Sequence, residues 1–152
     1  MKLWLLRHGE AEPKARTDAE RNLTDAGFAE VRRNAEHLFG QPLQAILASP
    51  YSRAQQTAEI VRQELGFGQA IETVPWLTPD SELEDAMLYL DRRDELGLLL
   101  VTHQPFVGAL GGWLVNGHRC GPLPMATGSL AELEGEHIAA GLMRLVSLRH
   151  PQ

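Results

Sequence analysis

Several features that would place a chain in a membrane or outside the cytosol are missing from this sequence. It has a single cysteine, Cys120, which excludes an internal disulfide framework and suits a reducing cytosol. No apolar run approaches the ~18 residues that a membrane span requires. Near the N-terminus only Leu3–Leu6 are consecutively apolar, too few for the core of a signal peptide. We therefore expect a cytoplasmic protein without a membrane span.

Basic residues are also in short supply. The chain has 14 lysines and arginines against 20 aspartates and glutamates, a net charge of −6. This balance argues against nucleic acids and anionic membranes as partners. The length of 152 residues and the apolar fraction of 43% are typical of one folded domain, so we expect a single domain over residues 1–152.

Short apolar runs alternate with segments of helical periodicity along the chain. The runs that predict buried parallel strands are residues 2–6, 43–48, 71–74 and 97–102. The helical segments have predicted starts at Thr24, at Ser49-Pro50, at Thr78-Pro79-Asp80 and at Pro105. Residues 129–133 and 142–148 predict a closing antiparallel pair. This order predicts an α/β fold, a three-layer α/β/α sandwich with a mostly parallel central sheet.

Polar segments follow three of the predicted strands. They are Arg7-His8-Gly9, Ser49-Pro50-Tyr51-Ser52-Arg53 and Thr102-His103-Gln104-Pro105. Ligands of open α/β sheets bind at the carboxyl ends of the strands, so we expect two arginines and two histidines to meet in one crevice. The planar fork of arginine and the N–H groups of helix N-termini suit a dianionic phosphoryl group. Neighbouring cations favour neutral histidine, which leaves a ring nitrogen free to attack phosphorus.

These three segments, in this order and spacing, resemble the histidine phosphatase (phosphoglycerate mutase-like) superfamily. The middle segment extends the match as Arg53-Ala54-x-Gln56-Thr57-Ala58. The chain is more similar still to the short branch of SixA-type phosphohistidine phosphatases. The residues that carry this similarity are Leu23-Thr24-x-x-Gly27, Leu77-Thr78-Pro79, His103-Gln104-Pro105 and Met125-x-Thr127-Gly128-Ser129. The resemblance runs from Lys2 to about Leu148.

The resemblance implies a role for each matched residue. His8 would be the nucleophile and become a phosphohistidine that water hydrolyses. Arg7 and Arg53 would hold the phosphoryl oxygens, and His103 would donate a hydrogen bond to the transferred group. The branch often has an acid and a base before the Leu-Thr pair, so Asp18 and Arg21 are further substrate-binding candidates, with a solvated loop pair as the alternative. This mechanism requires no metal and no organic cofactor.

Two departures from the longer members of the superfamily bear on the substrate. The asparagine that they carry after Arg-His-Gly has no counterpart in Glu10–Lys14, and no general acid can be assigned in Val74–Pro79. Glu82 and Glu84 are close in sequence, but they lie on a predicted helix. An alkyl phosphate expels a poor alkoxide and depends on a proton donor, whereas a protonated imidazole leaves phosphohistidine as a neutral ring.

We therefore expect a monomeric phosphatase that acts on phosphohistidine in a protein, such as a histidine-containing phosphotransfer domain or a kinase domain. Two alternatives remain open at this point. One is a phosphatase of small phosphomonoesters, and the other is a non-catalytic module that binds phosphoproteins.

Overall fold

A six-stranded sheet forms the centre of the protein in a computed structural model that describes residues 1–151. The strands are β1 (Lys2–Arg7), β2 (Ala45–Ala48), β3 (Glu72–Thr73), β4 (Gly97–Thr102), β5 (Leu130–Glu134) and β6 (Arg144–Arg149). The helices are α1 (Asp25–Ala35), α2 (Ser52–Leu65), α3 (Leu83–Leu90) and α4 (Phe106–Asn116). Short 3₁₀ segments occur at Asp18–Glu20, Glu36–Leu38 and Pro75–Leu77.

The strand order across the sheet is β3-β2-β4-β1-β5-β6. The first four strands in this order run parallel, and β5 and β6 pair antiparallel at the other side. The mostly parallel sheet expected from the sequence is confirmed. Because β4 lies between β2 and β1, the carboxyl ends of these three strands are neighbours, and the residues that follow them are brought to one place.

Alternate side chains of the strands point to opposite faces and build two separate cores. On one face, Leu3 and Leu5 of β1 belong to a buried cluster that includes residues of α3 and α4. On the other face, Trp4 and Leu6 belong to a second cluster with residues of α1 and α2. β4 is buried along its whole length, as expected for a strand covered on both faces. The result is the expected three-layer α/β/α sandwich.

Two predicted helix starts are wrong. α2 begins at Ser52 after Tyr51, and the Ser49 hydroxyl accepts the Tyr51 N–H at 3.2 Å instead of capping the helix. α3 begins at Leu83 and not at Thr78–Asp80, because Thr78 bonds through its hydroxyl to Asp80 and Ser81 and forms a turn. Side-chain hydrogen bonds of this local kind compete with helix formation.

The other predicted starts hold within one residue. Thr24 precedes α1 and accepts the N–H of Gly27 at 3.0 Å, as an N-cap should, and Pro105 directly precedes α4. None of the helices within residues 1–151 is long and apolar enough to cross a lipid bilayer.

Candidate active site

The two histidines predicted to act together lie side by side beyond the ends of β1 and β4. The ring centroids of His8 and His103 are 5.1 Å apart, and both side chains are almost fully buried. Arg53, in the first turn of α2, donates from Nε to His8 Nε2 at 3.3 Å. The structure thus brings together residues that are 45 or more positions apart in the chain.

The hydrogen bonds of His8 define its tautomer. Its Nδ1 lies 2.7 Å from the carbonyl oxygen of Gly9, which can only accept, so Nδ1 carries the proton. Nε2 therefore keeps its lone pair, and it receives the Arg53 Nε–H. A nucleophilic imidazole needs this arrangement, with one nitrogen held by its proton and the other unprotonated.

The surroundings of His8 keep it neutral. Burial lowers the pKa of His8 to about 4, although the hydrogen bond to Gly9 works in the opposite direction. The charges of Arg53, Arg7 and Arg21 lower the pKa of His8 further. At neutral pH the lone pair on Nε2 is therefore available.

The loop that carries His8 is packed tightly against the start of α1. A Cβ added at Gly9 would lie 2.6 Å from the Gly27 carbonyl oxygen, and one added at Gly27 would lie 2.1 Å from the Glu10 carbonyl oxygen. Both contacts are closer than any side chain permits. Only glycine at these two positions lets the loop approach the helix and keep the position of His8.

Arg7 is held by the loop before β5. Its Nη1 donates to the Met125 carbonyl oxygen at 2.9 Å, while its Nε is buried without a hydrogen-bond partner in the described part of the chain. Gln104 ties the same loop to the segment after His103, because its amide nitrogen lies 3.3 Å from the Met125 carbonyl oxygen. The backbone at Met125 therefore helps to position the predicted site.

His103 is held in place through its Nε2 atom. Its Nε2 lies 2.7 Å from the hydroxyl of Ser49, and its ring meets the Tyr51 ring edge-on with centroids 5.0 Å apart. Burial lowers the pKa of His103 to about 2, and the charge that His8 acquires when it is protonated and the charge of Arg53 add to this effect. His103 is therefore also neutral at neutral pH.

Two buried side-chain nitrogens, Arg7 Nε and His103 Nδ1, have no hydrogen-bond partner among residues 1–151. A buried polar group without a partner is costly and calls for an explanation. Both atoms belong to residues predicted to hold a phosphoryl group. An anion with several acceptor oxygens, bound beside the two histidine rings, would satisfy both of them.

The structure places Asp18 against Arg53. Arg53 donates from Nη1 to the Asp18 carbonyl oxygen at 2.7 Å and from Nη2 to Asp18 Oδ2 at 3.2 Å. Arg21 donates from Nε to Asp18 Oδ1 at 2.9 Å and from Nη1 to the Glu12 carbonyl oxygen. Asp18 therefore joins the site directly through Arg53, whereas Arg21 is one step further out.

The carboxylate of Asp18 stays ionised. Burial alone would raise the pKa of Asp18, but hydrogen bonds and charges from Arg53 and Arg21 bring it below its ordinary value. A carboxylate of this kind is a poor proton donor. Glu82 and Glu84, the other two acids considered from the sequence, are located at the start of α3, where Glu84 pairs with Arg119. The acidic residue that contacts Arg53 is Asp18.

Sequence reasoning missed the contributions of Ser49 and of the Met125 backbone. The sequence places Ser49 at the end of a strand, directly after β2 as His103 directly follows β4, but it does not indicate the contact between the two side chains. Within residues 1–151, no group of three or more His, Cys, Asp or Glu side chains is arranged to hold a metal ion.

Comparison with known proteins identifies the family. The model of the histidine phosphatase superfamily (branch 1) matches residues 3–78. Phosphohistidine phosphatase SixA of Escherichia coli K12 is 35% identical over 122 residues, which cover 77% of this chain and 76% of that protein. The SixA homolog of Haemophilus influenzae is 32% identical over 122 residues, covering 72% of this chain and 74% of that protein.

Solved structures agree with this result. The structure of the protein histidine phosphatase SixA complexed with tungstate has a TM-score of 0.89 and 30% identity, and the match covers 99% of this chain and 97% of that one. Sequence similarity and structural similarity therefore point to the same family. The chain belongs to the histidine phosphatase superfamily, in its branch of SixA-type phosphohistidine phosphatases.

Proposed function

We propose that this protein is a phosphoric hydrolase that removes phosphoryl groups from phosphohistidine in proteins, with His8 as the nucleophile. The observation that carries the proposal is the pair of buried, unpartnered nitrogens, Arg7 Nε and His103 Nδ1, close to the unprotonated Nε2 of His8. The names of the relatives support it, since one is phosphohistidine phosphatase SixA and another is a homolog of that protein. Tungstate, found in one related structure, is a tetrahedral oxyanion like a phosphoryl group.

The first step transfers the phosphoryl group to the protein. The Arg53 Nε–H, which His8 Nε2 accepts in the substrate-free protein, turns to a phosphoryl oxygen. The Nε2 lone pair of His8 then forms a bond to phosphorus, and the P–N bond of the substrate breaks with its electron pair going to the leaving imidazole. That imidazole, already protonated on its other nitrogen, departs as a neutral ring. Arg7, Arg53 and His103 hold the three phosphoryl oxygens, on which negative charge is spread in the transition state.

The second step returns His8 to its starting form. The phosphorylated ring of His8 is a cation whose Nδ1–H is held by the Gly9 carbonyl oxygen. Water attacks phosphorus, the P–N bond breaks, and its electron pair restores the lone pair on Nε2. The proton lost from water leaves with the phosphate or with solvent.

The lack of a proton donor at Asp18 favours phosphohistidine over alkyl phosphates as the substrate. A positioned proton donor typically contributes about 10²–10⁴-fold to a reaction that expels a basic leaving group. Asp18, the carboxylate beside Arg53, is ionised and held by two arginines, so it supplies no such proton. The P–N bond of a protonated phosphohistidine needs no dedicated donor.

The partner that fits this chemistry is a phosphorylated protein, and we propose a histidine-containing phosphotransfer domain or a kinase domain of a phosphorelay. A monomer in the cytoplasm that acts without metal or organic cofactor is part of the same proposal.

Trapping of the phosphorylated enzyme tests the nucleophile. A phosphotransfer domain labelled with ³²P on histidine is mixed with the protein and separated from it on a gel. We expect acid-labile label on the wild-type chain, none on His8→Ala, and unchanged label on the control His37→Ala, since His37 is exposed and outside the site. Label on His8→Ala would contradict the role of His8, and a wild-type protein with neither label nor turnover would favour a binding module.

Substrate preference is tested separately by comparing kcat/KM for the phosphotransfer domain with kcat/KM for β-glycerophosphate, an unactivated alkyl ester. We expect the phosphohistidine protein to be the better substrate by at least about 10²-fold, the lower end of what a missing proton donor costs. Equal or faster turnover of the ester would favour a phosphatase of small phosphomonoesters.

A further inference from the structure

Ser49 is a fully buried polar residue that the proposed reaction does not yet use. It directly follows β2, and its backbone is fixed on both sides. The Ser49 N–H donates to the Val101 carbonyl oxygen at 3.1 Å, and the Ser49 carbonyl oxygen accepts from the Gln55 amide at 2.8 Å. The hydroxyl is therefore held at a set position, 2.7 Å from His103 Nε2.

The hydroxyl has one proton and two lone pairs to place. It already accepts the Tyr51 N–H at 3.2 Å. If His103 carried its proton on Nε2, the hydroxyl would accept twice, and its own proton would be buried without an acceptor among the described residues. In that arrangement the lone pair of Nδ1 would be without a partner as well. If Nε2 is unprotonated, the hydroxyl donates to it, and only the Nδ1–H of His103 is left without a partner among residues 1–151. Because one unsatisfied buried group costs less than two, the second arrangement is favoured.

We propose that Ser49 is a positioning residue that fixes His103 as the Nδ1–H tautomer and so makes it a hydrogen-bond donor to the phosphoryl group. His103 Nδ1 is buried and unpartnered within residues 1–151, which is where such a donor would meet an oxygen of the substrate. In the other tautomer, Nδ1 would present a lone pair, which repels an anionic oxygen. The inference rests on the proposed function and assigns one step of it to Ser49.

The two histidines then share one tautomer and use opposite nitrogens. His8 is held at Nδ1 by the Gly9 carbonyl oxygen and presents the lone pair of Nε2. His103 is held at Nε2 by the Ser49 hydroxyl and presents the N–H of Nδ1. Since both rings stay neutral, the difference in role depends on which nitrogen the neighbouring residue occupies.

The tautomer can be observed directly by ¹⁵N NMR, in spectra that correlate the ring nitrogens with the ring C–H protons. Signals of His103 are assigned by their loss in His103→Gln. We expect wild type and Ser49→Thr, which keeps the hydroxyl, to show a protonated Nδ1 and an unprotonated Nε2 at His103. In Ser49→Ala we expect a mixture of tautomers or the Nε2–H form, with the His8 signals unchanged. A wild-type His103 protonated on Nε2, or an unchanged tautomer in Ser49→Ala, would overturn the proposal.

Kinetics give a second readout that a merely structural role would not produce. We expect Ser49→Ala to lower kcat by an amount on the order of 10- to 100-fold with little change in KM, as loss of a second partner behind a functional histidine typically does. Label on His8 should still form, more slowly, and Ser49→Thr should recover most of the rate. Ser52→Ala, the same change at the first residue of α2, is the matched control and should match wild type. An unchanged kcat in Ser49→Ala would count against Ser49.

The two readouts separate this inference from the proposed function. The tautomer is measured in the substrate-free protein and does not depend on turnover. A Nδ1–H His103 that shifts in Ser49→Ala supports the role of Ser49 even if no label forms on His8, whereas label on His8 with no shift overturns the role of Ser49 alone.

Discussion

The regions around His8 and His103 are alike in most respects and differ in one. Each histidine directly follows a parallel strand, is almost fully buried, and has a pKa lowered mainly by burial. The neighbour of His8 is a carbonyl oxygen, which only accepts, whereas the neighbour of His103 is a hydroxyl, which can donate. The comparison teaches that two identical side chains in one pocket can be set up differently by the hydrogen-bond partner of one ring nitrogen, and the proposed roles of nucleophile and donor follow this difference.

Removal of each histidine ring in turn should have the largest effect on turnover and should separate the two regions most clearly. His8→Ala removes the attacking atom, so we expect turnover to fall by at least about 10⁴-fold, as loss of a nucleophile does in other hydrolases. His103→Ala removes one donor to the phosphoryl oxygens, so we expect a loss of about 10²–10³-fold. Single-turnover rates with a ³²P-labelled phosphotransfer domain measure both. Equal losses in the two variants would show that the histidines are not divided into nucleophile and donor.

Arg53 donates a hydrogen bond from Nε to His8, and among residues 1–151 it makes no hydrogen bond to His103. Arg53→Lys keeps the charge but loses the planar fork, so we expect kcat/KM to fall by roughly 10- to 100-fold, the cost of one or two hydrogen bonds to a charged group. Steady-state kinetics measure this change. The control Arg62→Lys, in the last turn of the same helix, should leave kcat/KM unchanged. An unchanged kcat/KM in Arg53→Lys would mean that a positive charge at this position is enough and that the planar guanidinium is not needed.

The pH dependence of stability should show that both rings are neutral in the folded protein. The folded pKa of His8 is about 4 and that of His103 about 2, both below the ordinary value of 6.5. Between pH 7 and 5 the unfolded chain therefore binds more protons than the folded chain, and stability falls as the pH is lowered. Each ring contributes up to about 1.4 kcal/mol per pH unit to the free energy of unfolding below pH 6.5.

Urea unfolding at pH 7, 6 and 5 measures this slope. We expect His8→Asn and His103→Asn each to reduce it, and the exposed His37→Asn to leave it as in wild type. The carboxylates are the same in wild type and in these variants, so the difference between their slopes reports the histidine rings. A wild-type slope in both site variants would mean that the two rings are not held neutral by the fold.

Asp18→Asn should have the smallest effect. The carboxylate is 60% exposed, and an exposed ion pair contributes about 0.2–1 kcal/mol. The shorter contact of Arg53, to the Asp18 backbone carbonyl oxygen, stays in place. We therefore expect kcat/KM to fall about two- to fivefold, measured beside Glu20→Gln, a change in the same loop at a residue paired with Arg16. A loss as large as that of Arg53→Lys would assign Asp18 a direct role in the reaction.

Local sequence patterns predicted the parts of the fold that depend on neighbouring residues. The strands 2–6 and 97–102 and the cap at Thr24 agree with the structure within a residue or two, because a continuous apolar run and a helix cap both act over short stretches. The start of α3 was missed because the hydroxyl of Thr78 forms a turn with Asp80 and Ser81. Thr-Pro-Asp suits a turn as well as a helix start, so the sequence favours neither.

In the site, too, some features depend on local sequence and others on contacts between distant residues. The sequence by itself determined that two histidines and two arginines follow strands that end at one edge of the sheet, because strand ends and sheet order follow from local pattern and general topology. Only the tertiary structure decided what those side chains touch. Ser49 and His103 lie 54 positions apart and Arg7 and Met125 lie 118 apart, so no local pattern contains these contacts.

That difference has a physical cause. A residue type specifies how many protons and lone pairs a side chain can offer, and this is enough to propose phosphoryl chemistry from Arg7, His8, Arg53 and His103. Which nitrogen of each ring is occupied, which one is left free, and how far burial lowers the pKa depend on the partners that folding brings together. The chain supplies the reacting groups, and the packing of the strand ends gives each of them its state.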